Sequence, residues 1–132
     1  MKIMPLMKID MIKGRTPEDI QAILDISYKV MLDAFDAPVG DRYQIVNQHE
    51  PYEMQILDTG LGFERTKDVI VFSLVTRPRT TEQKQLFYHN LVDTLNNELG
   101  IRKEDVMINL VVNDDEDWSF AFGKAQFLTG EL

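Results

Sequence analysis

The sequence predicts an α/β (α+β) fold made of tandem duplicated β-α-β units, held in one domain of 132 residues. Three observations lead there. Residues 69–76, VIVFSLVT, are an apolar, β-branched run bounded by charge, which reads as a strand buried on both faces. A shift of 64 positions superimposes Arg15-Thr16 on Arg79-Thr80, Glu18 on Glu82, Gln21 on Gln85 and Asp41 on Asp105. Around those identities the order strand, cap, helix, stop, strand is written twice, with units at about 5–66 and 69–132.

The first strand is expected over residues 5–12, PLMKIDMI, with Met7, Ile9 and Met11 on one face and Leu6, Lys8, Asp10 and Ile12 on the other. Thr16 is an N-cap, Pro17 suits the first helical position, and Glu18 and Asp19 favour the positive end of the helix dipole. Ile20, Ile23, Leu24, Ser27, Val30, Met31 and Ala34 recur at spacings of 3 and 4, so the helix runs to about Asp36. After Ala37-Pro38-Val39-Gly40, residues 41–46 lead into a second strand. Residues 48–62 form a polar connector with room for a short extended piece at 54–57. In the second unit, Thr80 or Thr81 caps the helix, with Thr80 and Gln83 at capping-box spacing, Leu91, Val92, Leu95 and Leu99 give the apolar face, and Gly100 closes the helix. Residues 106–112, VMINLVV, are the last strand.

The balance of charge limits the partners. A formal charge of -8 excludes the basic footprint that nucleic acid or an anionic membrane requires. With 44% hydrophobic and 27% charged residues the composition is that of an ordinary globular protein. The absence of cysteine removes disulfides, thiolate nucleophiles and cysteine-type zinc sites. No run approaches a membrane span, and MKIMPLMKID, interrupted by lysines, has no signal-peptide core, so a cytoplasmic location is expected.

An anionic ligand must therefore be held by local positive charge. Arg77 and Arg79 flank Pro78 at the end of a rigid strand, and the planar guanidinium fork matches a carboxylate bidentately. The alternative for this pair is a solvated strand end. Two β-α-β units related by a pseudo-two-fold axis would lay residues 5–12 antiparallel to 69–76, which makes Pro5 a neighbour of Arg77 and Arg79. Initiation at Met4 followed by methionine removal would leave Pro5 as a free secondary amine, titrating near about 7.7 to 8.0 before its neighbours act on it. Such a group serves as general base, general acid or iminium-forming nucleophile. With residues 1–4 attached, its nitrogen is a tertiary amide with no proton to give.

The segments PLMKIDMIKGRT, AFDAPVGDRYQIVNQH, DTGLGF, SLVTRPRTTEQK and DWSFAFGKAQFLTGEL, which span nearly the whole chain, resemble the tautomerase superfamily, and most closely its malonate semialdehyde decarboxylase branch. The resemblance implies a homotrimer of duplicated β-α-β subunits that works without cofactor or metal on small carboxylate substrates through an amino-terminal proline. By position it makes Pro5 the catalytic proline, Asp41 the catalytic aspartate, Arg77 and Arg79 the carboxylate-binding arginines, and Trp118, Phe120, Phe127 and Leu132 the pocket wall. It implies decarboxylation of malonate semialdehyde. Keto-enol tautomerisation or hydration of 2-oxo acids is the alternative, as is a non-catalytic trimeric binding protein if Pro5 stays blocked.

The remaining features read as structural. His49 and His89 are isolated from other imidazoles, and Gly60-Leu61-Gly62 lacks the third glycine of a dinucleotide loop. Residues 114–117, DDED, read as a solvated acidic loop, and the seven methionines as core filling.

Overall fold

The computed structural model describes residues 5–132. Strand β1 (Leu6–Ile12), helix α1 (Pro17–Phe35) and strand β2 (Gln44–His49) form one β-α-β unit. Strand β3 (Ile70–Thr76), helix α2 (Thr81–Leu99) and strand β4 (Val106–Val112) form the other, and a short helix α3 (Gln126–Thr129) lies near the end. The sheet order is β2-β1-β3-β4. Each unit pairs its own strands in parallel, and the two units meet at the antiparallel β1–β3 seam. Residues 54–57 are not a strand; a 3-10 turn at Pro51–Glu53 precedes them instead.

Local chemistry sets each helix boundary. Thr16 Oγ1 accepts from Asp19 N and Thr80 Oγ1 from Gln83 N, each satisfying one of the unpaired amides of a first turn, which is worth about 1 kcal/mol. Gln83 Oε1 accepts from Thr80 N in return, completing the capping box at α2. Asp36 (φ 52) and Gly100 (φ 68) end the helices in the left-handed conformation.

Both helices pack over one face of the sheet. Met7, Ile9 and Met11 of β1 and Ile70, Phe72 and Leu74 of β3 form its floor, against Ile23, Val30, Met31, Ala34 and Phe35 of α1 and Phe87, Leu91 and Leu95 of α2. Phe35 and Phe87 lie with ring centroids 5.2 Å apart at the centre. Strand β3 departs from the expectation of burial on both faces, since its residues alternate between fully and partly buried. The other face of the sheet carries Val71 and Val75 with Ile45, Met107 and Val111, of which the last three are 46%, 38% and 54% exposed. His49 lies there, its Nε2 2.7 Å from Asp10 Oδ1.

The two units are not identical in register. The 64-position offset holds from the caps to the helix ends, but Met7 pairs with Gln44 whereas Val71 pairs with Met107, an offset of 63 at the second strand. The connection after α1 is thus one residue longer, and it is this connection that carries Asp41.

Candidate active site

Parallel pairing within units and antiparallel pairing between them bring the start of β1, the start of β2 and the end of β3 to one end of the sheet. Leu6 pairs with Val75, so buried Pro5 lies one residue beyond the seam, where β3 ends and Arg77 follows. Met4, and with it the expected cleavage point, lies outside the described residues.

Buried Thr76 buttresses this strand end, its Oγ1 donating to Arg77 O at 3.0 Å, while Asn113 N donates to Thr76 O at 2.9 Å. The Arg77 side chain is held over Phe127, 4.2 Å from the ring centroid, and its Nη2 is 2.7 Å from Asp115 Oδ1. The Arg79 guanidinium lies over Phe35, 5.3 Å from the ring centroid. Its Nη1 donates to Pro78 O, while buried Nε and Nη2 have no hydrogen-bond partner among the described residues. Burial first, and then the charge of Arg77, pushes the Arg79 pKa down to about 10. Unused buried guanidinium donors are costly in isolation, and a carboxylate is the complement that satisfies two of them together. Arg77, Pro78 and Arg79 line an open cleft of about 600 Å³ with Asp114, Asp115, Glu116 and Leu128.

Asp41 is only 6% exposed, and its Oδ2 has no hydrogen-bond partner among the described residues. Its neighbours are tied down on both sides. Gly40, whose φ of +104 suits glycine, donates its N–H to Tyr28 Oη at 2.8 Å. Arg42 stacks over the Tyr28 ring and bonds Asp25 Oδ1 at 2.7 Å. The Asp41 carboxylate is therefore held at the start of the second strand by a braced loop.

A second, more apolar cleft of about 430 Å³ adjoins the seam and is lined by Leu6, Tyr43, Val75, Asn113, Asp117, Trp118, Ser119 and Phe120. Trp118 stacks on Phe120 at 5.5 Å, Phe120 meets Phe127 edge-on at 5.4 Å, and Tyr43 approaches Phe120 at 5.9 Å. Trp118 Nε1 donates to Asn113 Oδ1 at 2.7 Å, which fixes the indole. Leu132 is outside both clefts. The residue is 41% exposed, its N–H donates to Gln126 O, and Leu128 supplies the aliphatic contact to the arginine cleft.

Several contributors had no periodic or motif signal. Gln126, 7% exposed, clips the carboxyl-terminal loop by accepting from Phe120 N and donating to Ala121 O. Tyr43 and Asn113 enter through strand register. The acidic stretch 114–117 differs from a merely solvated loop, because Asp115 pairs with Arg77 and three of its acids line the cleft.

Two fused β-α-β units with paired arginines and a buried proline at the seam define a tautomerase-type fold and cleft. The chain belongs to the tautomerase family. Residues 41–121 and residues 5–64 match two family models, each described as tautomerase enzyme. The chain is 47% identical over 129 residues to the probable tautomerase YrdN of Bacillus subtilis (strain 168), covering 98% of this chain and 100% of the relative. It is 36% identical over 126 residues to the probable tautomerase YusQ of the same organism, covering 95% and 99%. A crystal structure of a malonate semialdehyde decarboxylase, described with its decarboxylase and hydratase activities, superimposes with a TM-score of 0.91 at 47% identity, covering 96% of this chain and 98% of that one. A malonate semialdehyde decarboxylase inhibited by 3-bromopropiolate gives 0.90 at 36%, covering 96% and 97%.

Proposed function

We propose that this tautomerase-family enzyme decarboxylates a small 3-oxo acid, best represented by malonate semialdehyde (3-oxopropanoate), to acetaldehyde and carbon dioxide, with Pro5 as a free amino-terminal amine. The observation that carries this reading is the pair of buried Arg79 donors, unpartnered among the described residues, beside Arg77 at the end of the strand that meets Pro5. The similarity to two malonate semialdehyde decarboxylases supports it.

Arg77 and Arg79 hold the carboxylate of the substrate. Cationic Pro5 hydrogen-bonds the aldehyde oxygen, or the neutral Pro5 amine condenses with the carbonyl to a cationic iminium with loss of water, and either arrangement is an electron sink. The C1–C2 bond breaks to release carbon dioxide, its electron pair moves into the C2–C3 bond, and a proton is taken up at C2. Where an iminium formed, water then returns the aldehyde. Trp118, Phe120 and Phe127 supply an apolar wall that favours loss of the charged carboxylate as a neutral gas. Asp41 positions the proline or the carbonyl, or activates water in a hydration.

The subunit is read as a single domain of two units that assembles as a homotrimer, with residues 118–132 contacting the neighbouring copy. The apolar outer face of the sheet and Phe122, 92% exposed at φ 61 on the tip of a tight turn, support an assembly that covers them.

A second reading is keto-enol tautomerisation or hydration of a 2-oxo acid by the same proline and arginines, favoured by the names of the Bacillus relatives. Protein with its start verified by mass spectrometry separates the two. Acetaldehyde release from malonate semialdehyde supports the first, whereas enol-keto conversion of a 2-oxo acid without acetaldehyde release supports the second.

A further inference from the structure

We infer that the acidic turn 114–116 is a specificity element that restricts the arginine cleft to ligands bearing one carboxylate. This rests on the reading of Arg77 and Arg79 as the carboxylate clamp and adds the class of substrate that the clamp accepts.

The cleft presents two cations and three acids. Asp114, Asp115 and Glu116 line the same space as Arg77 and Arg79. The wall is fixed in place. Asp114 N donates to Asp117 Oδ2 at 2.9 Å, Asp117 N to Asp114 O at 3.0 Å, and Trp118, next in the chain, donates Nε1–H to Asn113 Oδ1. Asp115 already neutralises part of the Arg77 charge from 2.7 Å, which leaves Arg79, with buried Nε and Nη2 unpartnered among the described residues, as the stronger grip on an incoming carboxylate.

A ligand with one carboxylate places it on the arginines and turns a neutral end, such as an aldehyde, toward the remaining lining. A diacid that sets one carboxylate on the arginines turns its second toward Asp114 and Glu116 at close range within the same cleft. Like charges at that separation repel, the more so because the chain carries a net charge of -8. The turn therefore discriminates by repulsion as much as the arginines do by attraction. Because Asp114 and Glu116 are exposed, this discrimination is screened by salt, unlike the grip of the half-buried Arg79.

The test is binding without turnover. Propanoate, malonate and succinate are titrated near neutral pH and at low salt into protein beginning at Pro5 and into its D114N/E116Q variant, followed by amide chemical shifts. The variant keeps Asp115 on Arg77, and Asn at position 114 can still accept a hydrogen bond. Wild type is expected to bind propanoate at least about tenfold more tightly than either diacid, a difference that falls about threefold or more in the variant and shrinks in high salt. Equal affinity for mono- and diacids in wild type, or a ratio unchanged in the variant, would overturn the restriction and leave the clamp standing. Failure of all three acids to shift any amide of the cleft would remove the clamp itself, and the restriction with it.

Discussion

Leu6 lies opposite Val75 across the antiparallel seam, and this pairing places Pro5 beside the strand end that leads to Arg77. Only an amine with an exchangeable proton can exploit that placement. Protein beginning at Pro5 is expected to turn over its oxo acid, and protein retaining residues 1–4 to be inactive or nearly so, with matching circular dichroism. Equal activity of the two forms would remove Pro5 from the mechanism. Inactivity of both toward 3-oxo and 2-oxo acids would favour a binding role.

Truncation of either arginine tests the clamp. Arg77→Ala or Arg79→Ala is expected to lower kcat/KM by an amount equivalent to about 2 to 4 kcal/mol, the usual cost of removing one member of a charged, hydrogen-bonded pair in a dry site. Lysine at either position is expected to restore only part of this, since an ammonium is a point charge without the bidentate fork. Near wild-type kinetics in both alanine variants would place the clamp elsewhere.

Arg79 also predicts a pH dependence. Burial and Arg77 lower its pKa to about 10, so it is charged at neutral pH and loses its proton as pH rises through about 10. A bound carboxylate favours the charged form, so carboxylate affinity is expected to be insensitive to Arg79 below about pH 9 and to fall by up to tenfold per pH unit above about 10. The same depressed pKa means the unfolded chain binds the Arg79 proton more tightly, so this group penalises folding below about 10, and the penalty fades as pH rises beyond that. Affinity that persists unchanged well beyond pH 10 would contradict the assignment, as would its disappearance by pH 8.

Phe87→Ala is expected to cost about 3 to 5 kcal/mol by urea denaturation, because the side chain is fully buried and its removal leaves Phe35 facing a cavity. Tyr88, next in the chain and only partly buried, is expected to tolerate truncation better. The difference between the two midpoints is the measurement that decides it.

Assembly can be tested at the turn that presents Phe122. Phe122→Ser together with Val111→Lys is expected to weaken the proposed trimer, seen as a concentration-dependent shift toward monomer in sedimentation velocity. A wild-type chain that sediments as a monomer at micromolar concentration would refute the trimer directly.

Much of the scaffold was legible because its signals are local. Thr16-Pro17 and Thr80 with Gln83 announce helix starts through side chains that can bond only the amides of a first turn, and Met7, Ile9 and Met11 announce a half-buried strand by alternation. What escaped was non-local. Phe87 precedes the apolar spacing read for its helix, and its burial depends on Phe35 from the other unit. The inward turn of Asp115 depends on Arg77, which charge alone along residues 114–117 does not foretell. Gln126 looks like any surface amide until Phe120 and Ala121 are folded back over it. The outer face of β3 carries no signal of its partial exposure, because an unbroken apolar run fits a central strand whether its second face is covered within the subunit or by another copy.

Asp105 and Asp41 stand at the entrance to the second strand of their respective units, yet they have come to different ends. Asp105 is completely buried, with one oxygen accepting from Thr66 N and the other from Thr66 Oγ1, while Asp41 Oδ2 has no partner among the described residues. In an oligomer of single units, each carboxylate would be encoded by one codon, and any change would appear at every site at once. Joining two units in one chain breaks that bond of inheritance. Under the mechanism proposed above, one aspartate serves as a bolt while its counterpart is kept for the substrate, so substitutions at Asp105 are expected to be answerable to folding and substitutions at Asp41 to activity, and selection can act on each alone.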